Sequence, residues 1–155
     1  MARFTQTVES ATALAAGTTF ANVTAGASAN FKLRRAILGV RAGATVPTSQ
    51  QLTVDLARAT ARGTATTTVT GSALDPRSAA SAITGLDTAW STNPTVSATA
   101  LHKFSFNSQS GMDIPAELLE EWICDQGTAN GLAFRNVGNA LPTGHLLTLS
   151  LEWEE

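Results

Sequence analysis

Few residues of this chain could carry covalent or acid–base chemistry, and their spacing argues against it. There is one cysteine, Cys124, and there are two histidines, His102 and His145, so a Cys–His nucleophile pair is arithmetically available. His102, however, falls in the middle of an alternating run and His145 follows a turn, positions where histidine packs or hydrogen-bonds. Cys124 beside Trp122 and Ile123 reads as a small buried hydrophobe. Two imidazoles and one thiol without paired spacing do not make a metal site, so neither a metal nor another cofactor is expected. No glycine-rich phosphate loop stands between a strand and a helix, which removes nucleotide-dependent chemistry.

The charged clusters have a similar reading. Glu117, Glu120 and Glu121, and again Glu152, Glu154 and Glu155, could be taken as acid–base pairs, but they read as solvated or partner-facing patches. Lys32, Arg34, Arg35 and Arg41 share one run, with Arg58 and Arg62 further along. A nucleic-acid groove would interleave exposed aromatics, and this run offers only Phe31, so no specific nucleic acid is expected as a partner. The basic run fits a guarded strand edge or, preferably, salt bridges across a subunit boundary to the C-terminal glutamates.

Composition favours assembly over free diffusion. Charged residues are 14% of the 155, against about 25% in an ordinary soluble domain, and the net charge is −2. Much of the 43% hydrophobic content is alanine, so one narrow core is expected within a single domain spanning residues 1–155. No stretch approaches the roughly 20 apolar residues of a membrane span, and the start MARFTQTVES lacks a signal-peptide core. The chain therefore reads as soluble and unsecreted, without a membrane partner. Asn22-Val23-Thr24 spells a glycosylation acceptor that this context gives no reason to use.

The elements that would position these residues are strands. Leu147, Leu149, Leu151 and Trp153 alternate with Thr148, Ser150, Glu152 and Glu154, which predicts a half-buried final strand after the turn Leu141-Pro142-Thr143-Gly144. Gly131–Val137 is a second strand. A long third, from about Thr95 to Asn107, puts Val96, Ala98, Ala100, His102, Phe104 and Phe106 on its apolar side. Leu52–Ala57 and Thr64–Thr70 form either a hairpin around Arg62-Gly63 or one long bent strand. Phe31–Arg41 fits an inner strand, and Arg3–Val8 and Thr18–Thr24 are weaker candidates.

Two short helices are conceivable. One is Ala11–Ala16. The other is Ile114–Cys124, where Ile114, Leu118, Leu119, Trp122 and Ile123 share a face after Asp113 and Pro115; a helical turn leading into a strand at Glu121–Cys124 is the alternative. Gly71–Thr95 reads as a long loop excursion over a surface. Many short strands with turn residues between them point to an all-β, antiparallel sandwich or barrel.

The strings FKLRRAILGVRAGATVPTSQQLTVDLARAT, GSALDPRSAASAI, DTAWSTNPT, MDIPAELLEEW and GLAFRNVGNALPTGHLLTLSLEWEE resemble small structural proteins encoded in the virion gene clusters of tailed phages and related prophages. The resemblance covers most of the chain from about Phe31 onward. It implies a β-sandwich of jelly-roll type, made in the host bacterial cytoplasm and carried on the virion as a decoration or minor capsid protein. Its partners would be copies of itself and the major capsid protein or another virion protein, and it would not be an enzyme. A receptor- or glycan-binding module of a tail or fibre, with Trp90, Trp122 or Trp153 stacking on sugars, is the alternative. The residues expected at an interface are Ile83, Leu86 and Trp90 of the excursion, with Arg34 and Arg35 of the basic run.

Overall fold

A computed structural model describes residues 1–11, 14–44, 46, 48–117 and 119–155. The C-terminal alternation becomes a strand whose inward side chains Leu147, Leu149, Leu151 and Trp153 are fully buried. Among the described residues there are twelve strands: β1 (Arg3–Glu9), β2 (Thr18–Thr24), β3 (Phe31–Arg41), β4 (Gln51–Ala61), β5 (Thr64–Val69), β6 (Ser72–Ala73), β7 (Gly85–Thr92), β8 (Thr95–Asn107), β9 (Met112–Pro115), β10 (Trp122–Cys124), β11 (Gly131–Asn136) and β12 (Leu146–Glu154).

The strands pair antiparallel in two sheets. One has the order β10-β3-β12-β1-β6, with β9 also on β3; the other runs β5-β7-β2-β11-β4-β8. The nesting of the pairs explains the architecture. β1 pairs with β12, β2 with β11, β3 with β9 and β10, and β4 with β8. A ribbon in which first meets last, folded so that successive pairs fall in alternate sheets, is a jelly roll. Phe4, Phe20, Phe31, Leu33, Leu52, Leu56, Leu132 and Phe134 join the inward residues of β12 in a single apolar core between the sheets.

The excursion is more ordered than the sequence suggests. Gly71–Thr95 is not one long loop: β6 pairs with β1, and β7 pairs with β2 and β5. The insertion into the jelly roll starts at β5 and ends with β7, adding strands to an edge of each sheet. Backbone pairing of Gly85–Asp87 with Asn22–Thr24 supplies the hydrogen bonds that a surface loop would have sought from water. Between Leu52 and Thr70 there is no hairpin, and the long bent strand is correct. β4 has β8 as its partner and β5 has β7, with the bend at Arg62-Gly63 facing Asn93. Gly63 sits at φ 73°, and a side chain there would overlap the Thr92 carbonyl.

No helix occurs among the described residues. Thr12 and Ala13 of the Ala11–Ala16 segment lie outside them, as does Leu118 of the second candidate. Ile114–Cys124 instead contributes β9 and β10, both laid along the free side of β3, with Leu119 at φ 72° between them. Tertiary pairing with β3 overrides helix propensity here. The strand alternative for Glu121–Cys124 is close to what forms.

Candidate interaction surface

The five expected interface residues separate into three environments. Leu86 is fully buried and Ile83 nearly so, both within the core between the sheets. They are not free to meet a partner, because β7 docks on β2 and turns Leu86 inward opposite Val23. Arg34 and Arg35 do find the C-terminal glutamates, but in their own chain. Arg34 is held by Glu154 and Glu121, while Arg35 grips Asp113 in two hydrogen bonds of 2.9 and 2.6 Å and lies 3.6 Å from Glu152. Nor is β3 an edge, since β12 covers one side and β9 and β10 the other. The arginines that a cross-subunit bridge would have needed are therefore already paired.

Trp90 remains. Half-buried, it lines a cleft of about 210 Å³ with Leu14, Thr18, Thr19, Phe20 and Asn93. Its indole Nε1 is enclosed and meets no hydrogen-bond acceptor among the described residues. The other two tryptophans are less available to a ligand. Trp153 is fully buried and stacks on Phe4 at 5.9 Å, and Trp122 packs edge-on against His102 and Phe104. His102 was expected on the apolar side of its strand. It is exposed, because the β4–β8 register shifts next to it and the strand runs out along the sheet edge, where the imidazole covers Phe104.

The possible nucleophile pair is taken apart by the fold. Cys124 is in register with Phe31 at one end of β3, and Leu146, next to His145, with Arg41 at the other. At about 3.3 Å per residue, those ends are on the order of 30 Å apart. Burial pushes the Cys124 thiol up to about 11, partly offset by Arg58, so at neutral pH it is protonated. Among the described residues no group of three His, Cys, Asp or Glu side chains could hold a metal ion. Asn22 of the glycosylation triplet is fully buried and donates to the Thr24 hydroxyl at 3.0 Å, out of reach of modification.

A buried polar network escaped the sequence reading. The Asp87 carboxylate is wholly enclosed and accepts from Arg62 Nε and Nη2 at 2.7 Å each, from Thr68 at 2.6 Å and from Thr24 at 3.3 Å. It joins β7, β2, β5 and the β4–β5 bend. A second fastener is the Glu155 side chain, which accepts from Ser81, from the Ala82 amide at 2.6 Å and from Trp153 Nε1 at 2.8 Å. Thr84 donates to the Ala25 carbonyl at 2.7 Å. The loop between β6 and β7, expected to rest on another subunit, is thus pinned to its own chain. Polar residues at alternate positions of two strands, Asn22, Thr24 and Asp87, were the available signal.

What lies open is a set of sheet edges and a flat outer face. On the β1–β12–β3 face, the Thr7 and Ser150 hydroxyls meet at 2.8 Å, and Arg41 pairs with Glu9 at 2.7 Å. The Arg41 hydrogen bonds hold the Glu9 carboxyl below its ordinary range, as those of Arg35 do for Asp113. Opposite charges pair locally across this face, with the Thr7–Ser150 hydroxyl contact between them. No protein-family model matches the chain, and no curated protein or solved structure matches it at a significant level.

Proposed function

We propose that the chain is a structural component of a tailed-phage virion that binds the capsid shell as a decoration or minor capsid protein. The observation that carries this reading is the internal pairing of charge. Arg34, Arg35, Arg41, Arg62, Arg77 and Arg135 all meet carboxylates of their own chain, so the outer surface has little left with which to repel a copy of itself. A jelly roll whose arginines are largely paired within the chain suits contacts repeated by symmetry, where a modest interface gains through avidity. The phage-like strings from Phe31 onward point the same way. Quantitative mass spectrometry of purified particles tests it. A copy number near that of the shell subunit is expected, and absence from particles overturns the reading.

A second reading, a glycan-binding module of a tail or fibre, is favoured by one feature, the Trp90 wall facing Thr18, Thr19 and Asn93. It predicts quenching of tryptophan fluorescence by host surface glycans, lost in Trp90→Ala, and only a few copies per particle.

A further inference from the structure

The strand edges of this molecule are not equally protected. β8 carries His102 and Lys103 exposed at its middle, β9 contains Asp113 and Pro115, and β6 has only two residues. At β10, Arg58 reaches across and donates to the Ile123 carbonyl at 2.9 Å. Lysine, proline, brevity and a covering side chain are the usual ways of stopping an edge from pairing. β5 has no lysine and no proline and is longer than β6, although its ladder with β7 shifts register three times. It runs six residues, Thr64–Val69, at the end of its sheet, and the sequence has no charge from Gly63 through Leu74. Thr64, Thr66, Thr67 and Thr68 are exposed, and among the described residues no strand meets the far side of β5.

We infer that β5 is a homotypic docking edge, pairing antiparallel with β5 of a second copy across a two-fold axis and continuing the sheet through both subunits. The occupant follows from the side chains. A strand donated by a different protein would need apolar pockets for alternate residues, and β5 presents only threonine hydroxyls and small methyl groups. Against itself, however, an antiparallel β5 sets threonine beside threonine with no like charges opposed, a favourable cross-strand arrangement. A two-fold contact of this kind is closed and self-complementary. A contact between two six-residue edges is small, so it is weak alone and strengthened where copies are arrayed on a symmetric surface. This deepens the coat reading and rests on it only for where the pairing is used.

A cysteine scan in solution tests the edge directly, because the native Cys124 is buried and supplies little background. Thr64→Cys, Thr66→Cys, Thr67→Cys and, on β8, Thr99→Cys are purified, oxidised mildly and run on non-reducing gels. Disulfide-linked dimers are expected to form several-fold faster at Thr66 or Thr67 than at Thr99, with the yield falling away from the centre of β5. Adding Thr67→Lys to Thr66→Cys should remove the excess by opposing like charges. Equal yields at all sites overturn the pairing, whatever the particle count shows. A peak at the centre of β5 in a chain that is absent from particles upholds the pairing and sinks the coat reading alone.

Discussion

The outer faces of the two sheets carry the same kinds of charged side chain and place them in different surroundings. On the β1–β12–β3 face, Arg35 with Asp113 and Arg41 with Glu9 meet in solvent, each partner 40–56% exposed, while Arg34 with Glu121 and Glu154 is more enclosed. On the other face, Asp87 is wholly buried beneath Arg62, and Asp55, 3% exposed, lies beneath Arg135. For Asp87 the cause is the excursion, since Arg62 stands in the β4–β5 bend and Thr68 on β5. An exposed pair gives up little when broken, because water takes over each charge. A buried pair that loses one partner leaves a carboxylate without compensation. Similar residues are thus surface neutralisers where water reaches both partners and fasteners where the carboxylate is enclosed.

The largest effect should come where the excursion is built onto the first sheet. Trp153 is buried under Gly71, where a Cβ would overlap its ring, and its indole donates to Glu155, which holds Ser81 and Ala82. Trp153→Ala should cost about 3–5 kcal/mol in urea unfolding, from lost burial and the cavity left behind. A loss below about 1 kcal/mol would show the final strand to be a dispensable arm. Next comes Arg62→Ala, which leaves Asp87 buried and unpaired and should cost about 3 kcal/mol. If it matches an exposed arginine substitution in the same assay, the contrast between the two faces fails.

Glu155→Ala should follow at about 1–2 kcal/mol, the scale of partly exposed hydrogen bonds to a carboxylate lost from Trp153, Ser81 and Ala82. It also has a local signature. Amide exchange from Ser78 to Thr84 should accelerate while the β12 amides keep their protection. Acceleration spread evenly over the whole chain would mean that this loop is not separately fastened.

These contrasts mark where the sequence was legible. β12, β11 and β3 could be read because large apolar residues alternate with polar ones, and each such strand buries one face. β7 could not, since its paired start, Gly85-Leu86-Asp87, holds two residues that strands disfavour and only one with a large apolar side chain. The Arg62–Asp87 link spans 25 residues, so no local pattern announces it. Ile114–Cys124 imitated a helix face because Ile114 of β9, Leu119 of the connection and Trp122 and Ile123 of β10 fall at helical spacing. C-terminal glutamates were expected to meet the basic run across a subunit boundary; Arg34 does meet Glu154 but within the chain, Arg35 bonds chiefly to Asp113, and sequence cannot distinguish a bridge within a chain from one between chains. The open edge of β5 was likewise invisible, because an edge is defined by what fails to pair with it.

The smallest effect is expected at Asp113. Arg35 holds its carboxyl below the ordinary carboxylate range through two hydrogen bonds, so the folded state binds that proton less readily than the unfolded chain does. Stability from a carboxylate of this kind is present above its unfolded value, near pH 4, and is lost as pH falls through the lower folded value. Both partners are nevertheless 40% or more exposed, so solvent and salt screen most of the interaction. Asp113→Asn should therefore give a melting curve coincident with that of the parent chain at pH 7, in low and high salt alike. As pH falls through the lower folded value the two proteins should stay indistinguishable, since the parent's carboxyl then becomes neutral as well. A clear loss of stability in the Asp113→Asn protein at pH 7 that disappears at pH 3 would mean that this outer face, like the opposite one, depends on its ion pairs to hold the sheet together.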